Sequence, residues 1–413
     1  MNRIPNSRVK LLILPVLLVM LLLSSLLPAR IQAQESINVI SSRAEANFPD
    51  ALKFSLDVTG AFPITKIYLR YRILNDNPIK VFSEVWMNFK PGSIVSTSWE
   101  WQMKKTGGLP PWTDMSYWWV ITDERGNKVE TTPKDFIYFD TRYSWQTKQR
   151  GNILLFWARG DDNFAEQLVT SATDSLARLE REAGIKLEKR VRLFVYPSSA
   201  DLRAAILYAT EWTGGVAFTD FGVVAIGISP AELGFGTRAL AHELSHLVTR
   251  QSSFSFYGDI PVWLNEGLAM WNEGSMRPEM VLELQRAVEQ RKFPTLRTLS
   301  SPFPGDVDEA LLAYAESQSV VTFLLEKYGP NKMVELLQVF KNGSGYDEAL
   351  LKVYGYDMDR LFELWRDSIL SPQTLSRRSE GDMKYENILV GAWRAVPWRA
   401  VFKPAPAIIF QAT

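Results

Sequence analysis

The sequence predicts an α+β protein with more than one domain, in which an N-terminal β-sandwich precedes a mixed sheet and then a set of helices. Three observations support this prediction. Apolar and polar residues alternate early in the chain, helical spacing dominates its later part, and short apolar runs lie between these regions. With 413 residues, the chain is long enough for two or three domains with their own cores.

Residues 1–33 have the pattern of an export signal. Basic residues at positions 3, 8 and 10 precede an apolar run from Leu11 to Leu27, and small residues up to Ala33 suit cleavage. An uncleaved membrane anchor is the alternative, because these 17 residues approach the length of a spanning helix. Either interpretation predicts an exported protein that is extracellular or held at the cell surface.

Residues 35–145 are predicted to form the β-sandwich. Apolar and polar residues alternate at 53–58 and again at 66–73, and clusters of Asn, Pro and Gly separate such stretches. About 110 residues with this spacing are typical of an immunoglobulin-like or fibronectin-like module. We expect its aromatic side chains to fill the core, with a ligand platform, for instance for glycans, as the alternative.

Residues 150–370 are predicted to form a second domain in which a mixed sheet leads into helices. Strands are expected at 153–157, 191–195, 216–218 and 223–228, and an amphipathic helix at 161–183 is expected to end at Gly184. Residues 371–413 form a tail of unknown structure. Further helices are expected at 200–209, 261–273, 277–291, 307–328, 330–339, 347–353 and 358–368.

The composition excludes several functional classes. The chain has 46 basic and 46 acidic residues, and without residues 1–33 its formal charge is −4. With no basic block either, nothing favours nucleic acid as a partner. The chain has no cysteine, which excludes cysteine-protease chemistry and any metal site with cysteine ligands.

Both histidines of the chain lie in one motif, Ala241-His242-Glu243-Leu244-Ser245-His246. Residues four apart lie on one face of a helix, so His242 and His246 can direct their rings at one metal ion. Glu243 stands beside that ion, where a general base for a metal-activated water is needed. We expect Thr237 to cap the helix at its start.

A third metal ligand is predicted at Glu266. Catalytic zinc has three protein ligands and one open position, and no histidine or cysteine remains to complete the set. Glu266 falls on the second turn of a helix expected to begin at Pro261, among apolar neighbours that leave its charge in need of a partner. A surface carboxylate is the alternative. The sequence therefore predicts one Zn²⁺ ion bound by His242, His246 and Glu266.

The same residues carry a family resemblance. The His-Glu-x-x-His motif, the segment Trp263–Ala269 and the 19 residues between His246 and Glu266 resemble the gluzincins, the thermolysin-like and aminopeptidase-like zinc metallopeptidases. Bacterial peptidase MA-like proteins are the closest in pattern. The resemblance covers roughly residues 150 to 370 and implies a thermolysin-like domain. It implies the same three zinc ligands, with Glu243 as the general base.

Other positions match the family less well. Its members have a strand that lies along the substrate backbone, and here residues 221–228 or 216–218 are the candidates. Residues 214–217 lack the acid that holds the substrate amine in the aminopeptidases, which counts against that activity. Met270 stands where thermolysin relatives have an acid that orients a zinc histidine, and Asn272 or Glu273 is expected to replace that acid.

The resemblance also implies a hydrogen-bond donor for the oxyanion, on the side opposite Glu243. Tyr314 is the candidate, because no histidine remains for this role. Tyr314 also shares an apolar helix face with Val321, Leu324 and Tyr328, so packing in the core is the alternative.

The function predicted from the sequence is that of an exported zinc metallopeptidase that acts on a peptide or protein substrate. Residues 1–33 would supply a membrane tether if they stay attached, and the sequence makes no prediction of oligomeric state. Two other classes stay open. One is a non-catalytic zinc-containing adhesion or scaffold protein at the cell surface, and the other is a zinc hydrolase of a non-peptide amide or ester.

Overall fold

The structure, a computed structural model, describes residues 37–75, 81–208 and 214–371. The predicted signal or anchor at 1–33 lies outside these residues, as does the predicted tail apart from Ser371. Within the described parts of the chain, no helix is both long and apolar enough to cross a membrane.

The N-terminal part is an antiparallel sheet built around one long strand, β2. The first half of β2 pairs with β1 and β4, and its second half pairs with β3 and β5. Strands β6 and β7 both pair with β5. In the described residues these strands are β1 (Ile37–Asn47), β2 (Ala51–Leu74), β3 (Ser83–Trp86), β4 (Gly92–Gln102), β5 (Thr113–Asp123), β6 (Lys128–Glu130) and β7 (Lys134–Tyr138).

The two halves of β2 lie on opposite sides of a shared core. The register of β2 with β4 shifts between Thr59 and Ile64. The ring of Phe54, before this shift, lies 6.2 Å from that of Tyr71 and 5.1 Å from that of Tyr117 on β5. Hydrogen bonds thus join the strands into one antiparallel sheet, and both halves of β2 contribute to one core. The immunoglobulin-like topology stays a prediction.

A second sheet of five strands follows, in the order β11-β12-β10-β9-β8. Its central strands β9, β10 and β12 are parallel, and β8 and β11 are antiparallel edge strands. The sheet begins at Gln146, four residues before the predicted start of the second domain. Its strands are β8 (Gln146–Arg150), β9 (Ile153–Trp157), β10 (Val191–Tyr196), β11 (Gly215–Phe218) and β12 (Val223–Gly227).

The chain beyond β12 is helical, as predicted. The helix α1, before that strand, continues into a π-helical turn, Leu179–Ala183, and ends at Gly184 in the left-handed conformation. The helices of the described residues are α1 (Asp162–Arg178), α2 (Ser199–Arg203), α3 (Leu233–Ser253), α4 (Val262–Glu273), α5 (Pro278–Gln290), α6 (Val307–Tyr328), α7 (Pro330–Lys341), α8 (Tyr346–Tyr354) and α9 (Met358–Ile369).

The second sheet is buried on both faces, which explains its continuous apolar runs. On one face, Leu155 and Leu193 pack with residues of α1 and α3. On the other face, Phe156 and Phe194 stack at 4.5 Å and belong to the core of the N-terminal sheet. The two predicted domains therefore share one apolar core.

Candidate metal centre

Two helices supply the predicted metal ligands. Helix α3 carries His242 and His246, and α4 carries Glu266. Helix α3 begins at Leu233, a turn earlier than predicted, because Ser229 and Glu232 form a capping box ahead of it. The prediction that Thr237 caps this helix was therefore wrong. Its hydroxyl lies within the helix and donates to the carbonyl of Gly234.

The three predicted ligands converge on one point. His242 Nε2 lies 3.1 Å from His246 Nε2 and 3.5 Å from Glu266 Oε2, and His246 Nε2 lies 3.8 Å from the same oxygen. A tetrahedral zinc site with bonds of 2.0–2.2 Å requires ligand atoms about 3.3–3.6 Å apart. The observed separations lie close to this range. Among the described residues, these three side chains form the group that could hold a metal ion.

Hydrogen bonds orient both imidazole rings toward that point. His242 Nδ1 lies 2.9 Å from Glu273 Oε1, and His246 Nδ1 lies 3.2 Å from Asn265 Oδ1. Both oxygens are acceptors, so each Nδ1 carries the proton and each Nε2 is left to bind a metal. Burial lowers the pKa of His242, but its hydrogen bonds to Glu266 and Glu273 raise that pKa to about 10, so a metal ion that binds at Nε2 displaces a proton from it.

Glu273 orients His242, in the role of the acid that is missing at position 270. Its side chain is 3% exposed, and its second oxygen lies 3.5 Å from Arg238 Nη2 and 4.0 Å from Arg277 Nε. Burial raises the pKa of Glu273, but His242 and the two arginines more than offset it and the pKa is lowered. Asn272, the other candidate, instead donates to the carbonyl of Ala241.

Glu243 lies beside the three ligands, against the strand β11. A Cβ atom placed on Gly215 would lie 3.0 Å from Oε1 of Glu243, so a side chain at that position would press on the carboxyl group. Burial raises the pKa of Glu243, while the nearby His242 and His246 oppose this shift. A carboxyl group whose pKa is raised by partial burial is suited to accept and return a proton.

Tyr314 is buried on α6 and lies near the same group of residues. Burial raises its pKa well above the usual value, and the charges of Glu266 and Glu243 add to this effect. The ring of Phe303 packs edge-on against it at 5.0 Å. Tyr314 is thus close enough to Glu266 and Glu243 to feel their charges, while its ring belongs to the helical core.

The two candidate substrate strands differ in position. Residues 216–218 belong to β11, at the end of the strand order, and residues 223–227 form β12, which is paired on both sides. An extra strand can be added only at a free edge. Residues 221–228 are therefore excluded as the strand that pairs with a substrate, and residues 216–218 remain the candidate for that role.

Sequence reasoning missed three polar residues of this centre. Asn265 directly precedes Glu266 in the recognised motif, and this position could have identified it as a residue of the site. Arg238 lies one turn before His242, and Arg277 lies one turn after Glu273. Neither arginine falls in a recognised motif, and their common contact with Glu273 exists only once α3, α4 and the start of α5 have come together.

Comparison with known proteins supports the predicted resemblance. The sequence profile of the Peptidase MA superfamily matches residues 171–371, just under half of the chain. This segment contains the two histidines, Glu243, Glu266 and Tyr314. No curated protein matches the chain.

Several solved structures share parts of the fold at low sequence identity. Aminopeptidase A of Legionella pneumophila, in complex with aspartic acid, is 13% identical over 80% of this chain and 49% of its own, with a TM-score of 0.33. An aminopeptidase N family protein of Idiomarina loihiensis is 8% identical over 78% and 74%, with a TM-score of 0.39. Catalytically inactive OgpA of Akkermansia muciniphila, bound to an O-glycopeptide, is 10% identical over 26% and 30%, with a TM-score of 0.20. This chain thus spans about a third of OgpA and half of the Legionella protein, and similarities this weak carry no functional argument.

Proposed function

We propose that the protein is a zinc-dependent metallopeptidase of the peptidase MA superfamily, whose sequence profile matches residues 171–371. The observation that carries the proposal is the arrangement of His242, His246 and Glu266, whose ligand atoms all lie within 4.8 Å of one another. Two imidazoles and one carboxylate are the ligands of many catalytic zinc sites.

Zinc, when bound there, supplies a Lewis acid that polarises a carbonyl group and acidifies a water molecule. In this proposal, Glu243 accepts the proton that the water loses on attacking the scissile carbonyl. It then donates that proton to the leaving amine. The raised pKa of Glu243 supports both transfers, because a carboxylate of ordinary pKa is a weak base at neutral pH.

We assign substrate binding to the free edge of β11. An extended peptide would pair with this strand and pass over Glu243, and Gly215 leaves room for that approach. We assign the oxyanion donor to Tyr314. Its raised pKa keeps the hydroxyl protonated, so that it can donate a hydrogen bond as negative charge develops on the substrate.

The proposal is tested with Glu243→Gln on a mixed peptide library. We expect peptide hydrolysis to fall by about three orders of magnitude or more, while one equivalent of zinc stays bound. Glu289→Gln, which alters an exposed glutamate on α5, is the control and should change neither. Unchanged hydrolysis by zinc-loaded Glu243→Gln would refute the mechanism. If Glu243→Gln abolished the hydrolysis of a non-peptide amide or ester while the wild type cleaved no peptide, the protein would be a hydrolase of that other substrate class.

The site of action is a separate proposal. The basic start, apolar run and small residues of 1–33 support export, with the protein either released or tethered by that segment. Fractionation of cells that express the full chain, followed by N-terminal sequencing of the protein, tests export and cleavage together. We further propose that the N-terminal sheet is immunoglobulin-like in its topology, because its described residues form seven strands that all pair antiparallel.

A further inference from the structure

Residues 139–145, which connect the two sheets and are called the linker below, contact the segment that leads into β11. Arg142 Nη1 donates to the carbonyl of Ala204 at 2.9 Å, and the hydroxyl of Tyr143 donates to Asp201 Oδ1 at 2.9 Å. Asp201 lies in the short helix α2, and Ala204 follows it. These bonds hold α2 against the linker.

The linker is itself held rigidly by buried groups. Asp140 is fully buried and accepts two hydrogen bonds from the guanidinium of Arg142 and one from the hydroxyl of Tyr196 on β10. The guanidinium also lies 5.2 Å from the ring centre of Phe48, in the N-terminal domain. Arg142 is therefore held in one position before it reaches α2.

The N-terminal domain contacts the end of this segment directly. The hydroxyl of Tyr208 donates to the carbonyl of Lys104. A Cβ atom on Gly108 would lie 3.1 Å from the side chain of Leu207, and Leu202 and Ala205 belong to the core of the N-terminal sheet. The segment from 199 to 208 is thus covered by the N-terminal domain and the linker.

On its other side, α2 contacts the start of β11 through one glycine. A Cβ atom on Gly227, the last residue of β12, would lie 2.5 Å from the carbonyl oxygen of Ser198, so the two backbones are in direct contact. The amide of Gly227 donates to the carbonyl of Gly214 at 3.0 Å. Gly215 then begins β11 and lies against Glu243.

We infer that the linker and the N-terminal domain position β11 for substrate binding, with Arg142 and Tyr143 as positioning residues. The contacts form a continuous path from Asp140 through α2 and Gly227 to Gly215. This inference rests on the proposed function, because it takes β11 as the strand to which the peptide binds. It gives the N-terminal domain a role in the proposed reaction, although no residue of that domain is a metal ligand.

The test is a double variant, Arg142→Lys with Tyr143→Phe, in the full chain. It removes the bonds to Ala204 and Asp201 and keeps the positive charge beside Asp140. The matched control is Arg70→Lys with Tyr68→Phe, since Arg70 pairs with Glu84 and Glu130 inside the N-terminal sheet. Amide hydrogen exchange of residues 214–227, the zinc dissociation constant, KM and kcat are measured for all three proteins.

We expect the double variant to exchange amides 214–227 about threefold faster or more, and to raise KM about two- to tenfold with kcat within about twofold. The zinc affinity of the double variant should equal that of the wild type. The control variant should equal the wild type in all four measurements. Unchanged exchange in the double variant would overturn the inference, as would equal changes in the control. If the wild type hydrolyses no peptide, the proposed function fails, and the exchange measurement still decides whether the linker positions β11.

Discussion

At the scale of single residues, Glu273 decides how firmly His242 is held for the metal. Its carboxylate orients the ring and is itself held by Arg238 and Arg277. We predict that Glu273→Gln weakens zinc binding by about 10- to 100-fold, because the amide is a poorer acceptor and leaves two arginines without their shared anion. Competition with a chelator of known affinity measures this change.

The control for this variant is Glu279→Gln. Glu279 also lies near Arg277, at 3.9 Å, but is not hydrogen-bonded to His242. Its loss should leave zinc affinity within about twofold of the wild type. Equal affinities for Glu273→Gln and the wild type would show that Glu273 does not support the ligand.

Glu316 is a buried acid outside the metal centre. Its side chain on α6 is fully buried, and neither carboxyl oxygen has a hydrogen-bond partner among the described residues. Burial raises its pKa to about 9. The group is therefore protonated in the folded protein at neutral pH and ionised in the unfolded chain, where its pKa is near 4.5.

This difference makes stability depend on pH. The folded state binds a proton that the unfolded state has lost, so between pH 4.5 and about pH 9 stability falls as pH rises, by at most about 1.4 kcal/mol per pH unit from this group. We predict that Glu316→Gln removes this slope, so that its Tm relative to the wild type rises steadily from pH 6 to pH 8. Thermal unfolding at several pH values measures the difference, and a constant difference would contradict the prediction.

The sequence predicted the three candidate metal ligands and Glu243, but missed most of the side chains that support them from a neighbouring helix. His242, Glu243 and His246 share two turns of one helix, so their spacing was enough to group them. Asn265, Arg238 and the choice of Glu273 over Asn272 depend on how α3 and α4 are rotated against each other. No pattern within either helix specifies that rotation.

At the scale of elements, α4 and α6 approach each other closely at Gly267. A Cβ atom there would lie 2.4 Å from the carbonyl oxygen of Ser317 and 2.7 Å from Val321 Cγ2. We predict that Gly267→Ala destabilises the fold by about 2 kcal/mol and weakens zinc binding, because α4 must move and Glu266 moves with it. The Tm and the zinc dissociation constant measure the two effects.

Gly234→Ala provides the matched control. Gly234 lies in the first turn of α3, and no atom lies within 4 Å of a Cβ built there. Alanine should stabilise that helix, by up to about 1 kcal/mol. A Gly267→Ala protein as stable as Gly234→Ala would mean that α4 and α6 can separate without cost.

Helices were more predictable than the sheet connections. The predicted helix at 307–328 matches α6 at both ends, because Asp306 caps its start and Gly329 ends it. The start of α3 was predicted too late, because threonine is a common N-cap residue and Thr237 was predicted to be the cap. The capping box formed by Ser229 and Glu232 was overlooked. The register shift within β2 between Thr59 and Ile64 was not predicted, since apolar and polar residues alternate in the same way on both sides of it.

At the scale of the whole molecule, Asp140 joins the N-terminal domain to the domain that carries the candidate metal centre. It is fully buried and accepts hydrogen bonds from Arg142 and from Tyr196 of the second sheet. We predict that Asp140→Asn destabilises the protein by about 2 kcal/mol, because charge-assisted bonds are lost in a site that water does not reach. Both domains should unfold in one transition, since their cores are continuous.

Thermal unfolding followed by both tryptophan fluorescence and zinc release tests this prediction. The two signals should change at one temperature in the wild type and at one lower temperature in Asp140→Asn. Asp135→Asn, which alters an exposed aspartate on β7, should leave that temperature unchanged. Two separate transitions in the wild type would show that the domains unfold independently.

The shared core could not be predicted from the sequence. The aromatic residues of 35–145 were expected to fill a sandwich, and Phe54 and Tyr117 do so. Trp112, however, packs 5.0 Å from Phe156 of the second sheet. An aromatic side chain needs an apolar neighbour, but its sequence position does not say which domain supplies it.

Because the chain has only two histidines and both belong to the candidate metal centre, every imidazole signal of the protein comes from that centre. Selective ¹⁵N labelling of histidine would give a spectrum of four ring nitrogens, two of which face the metal position. Metal exchange and substrate approach could then be followed atom by atom. A polyhistidine tag would remove this advantage, because it adds more imidazoles than the protein itself contains.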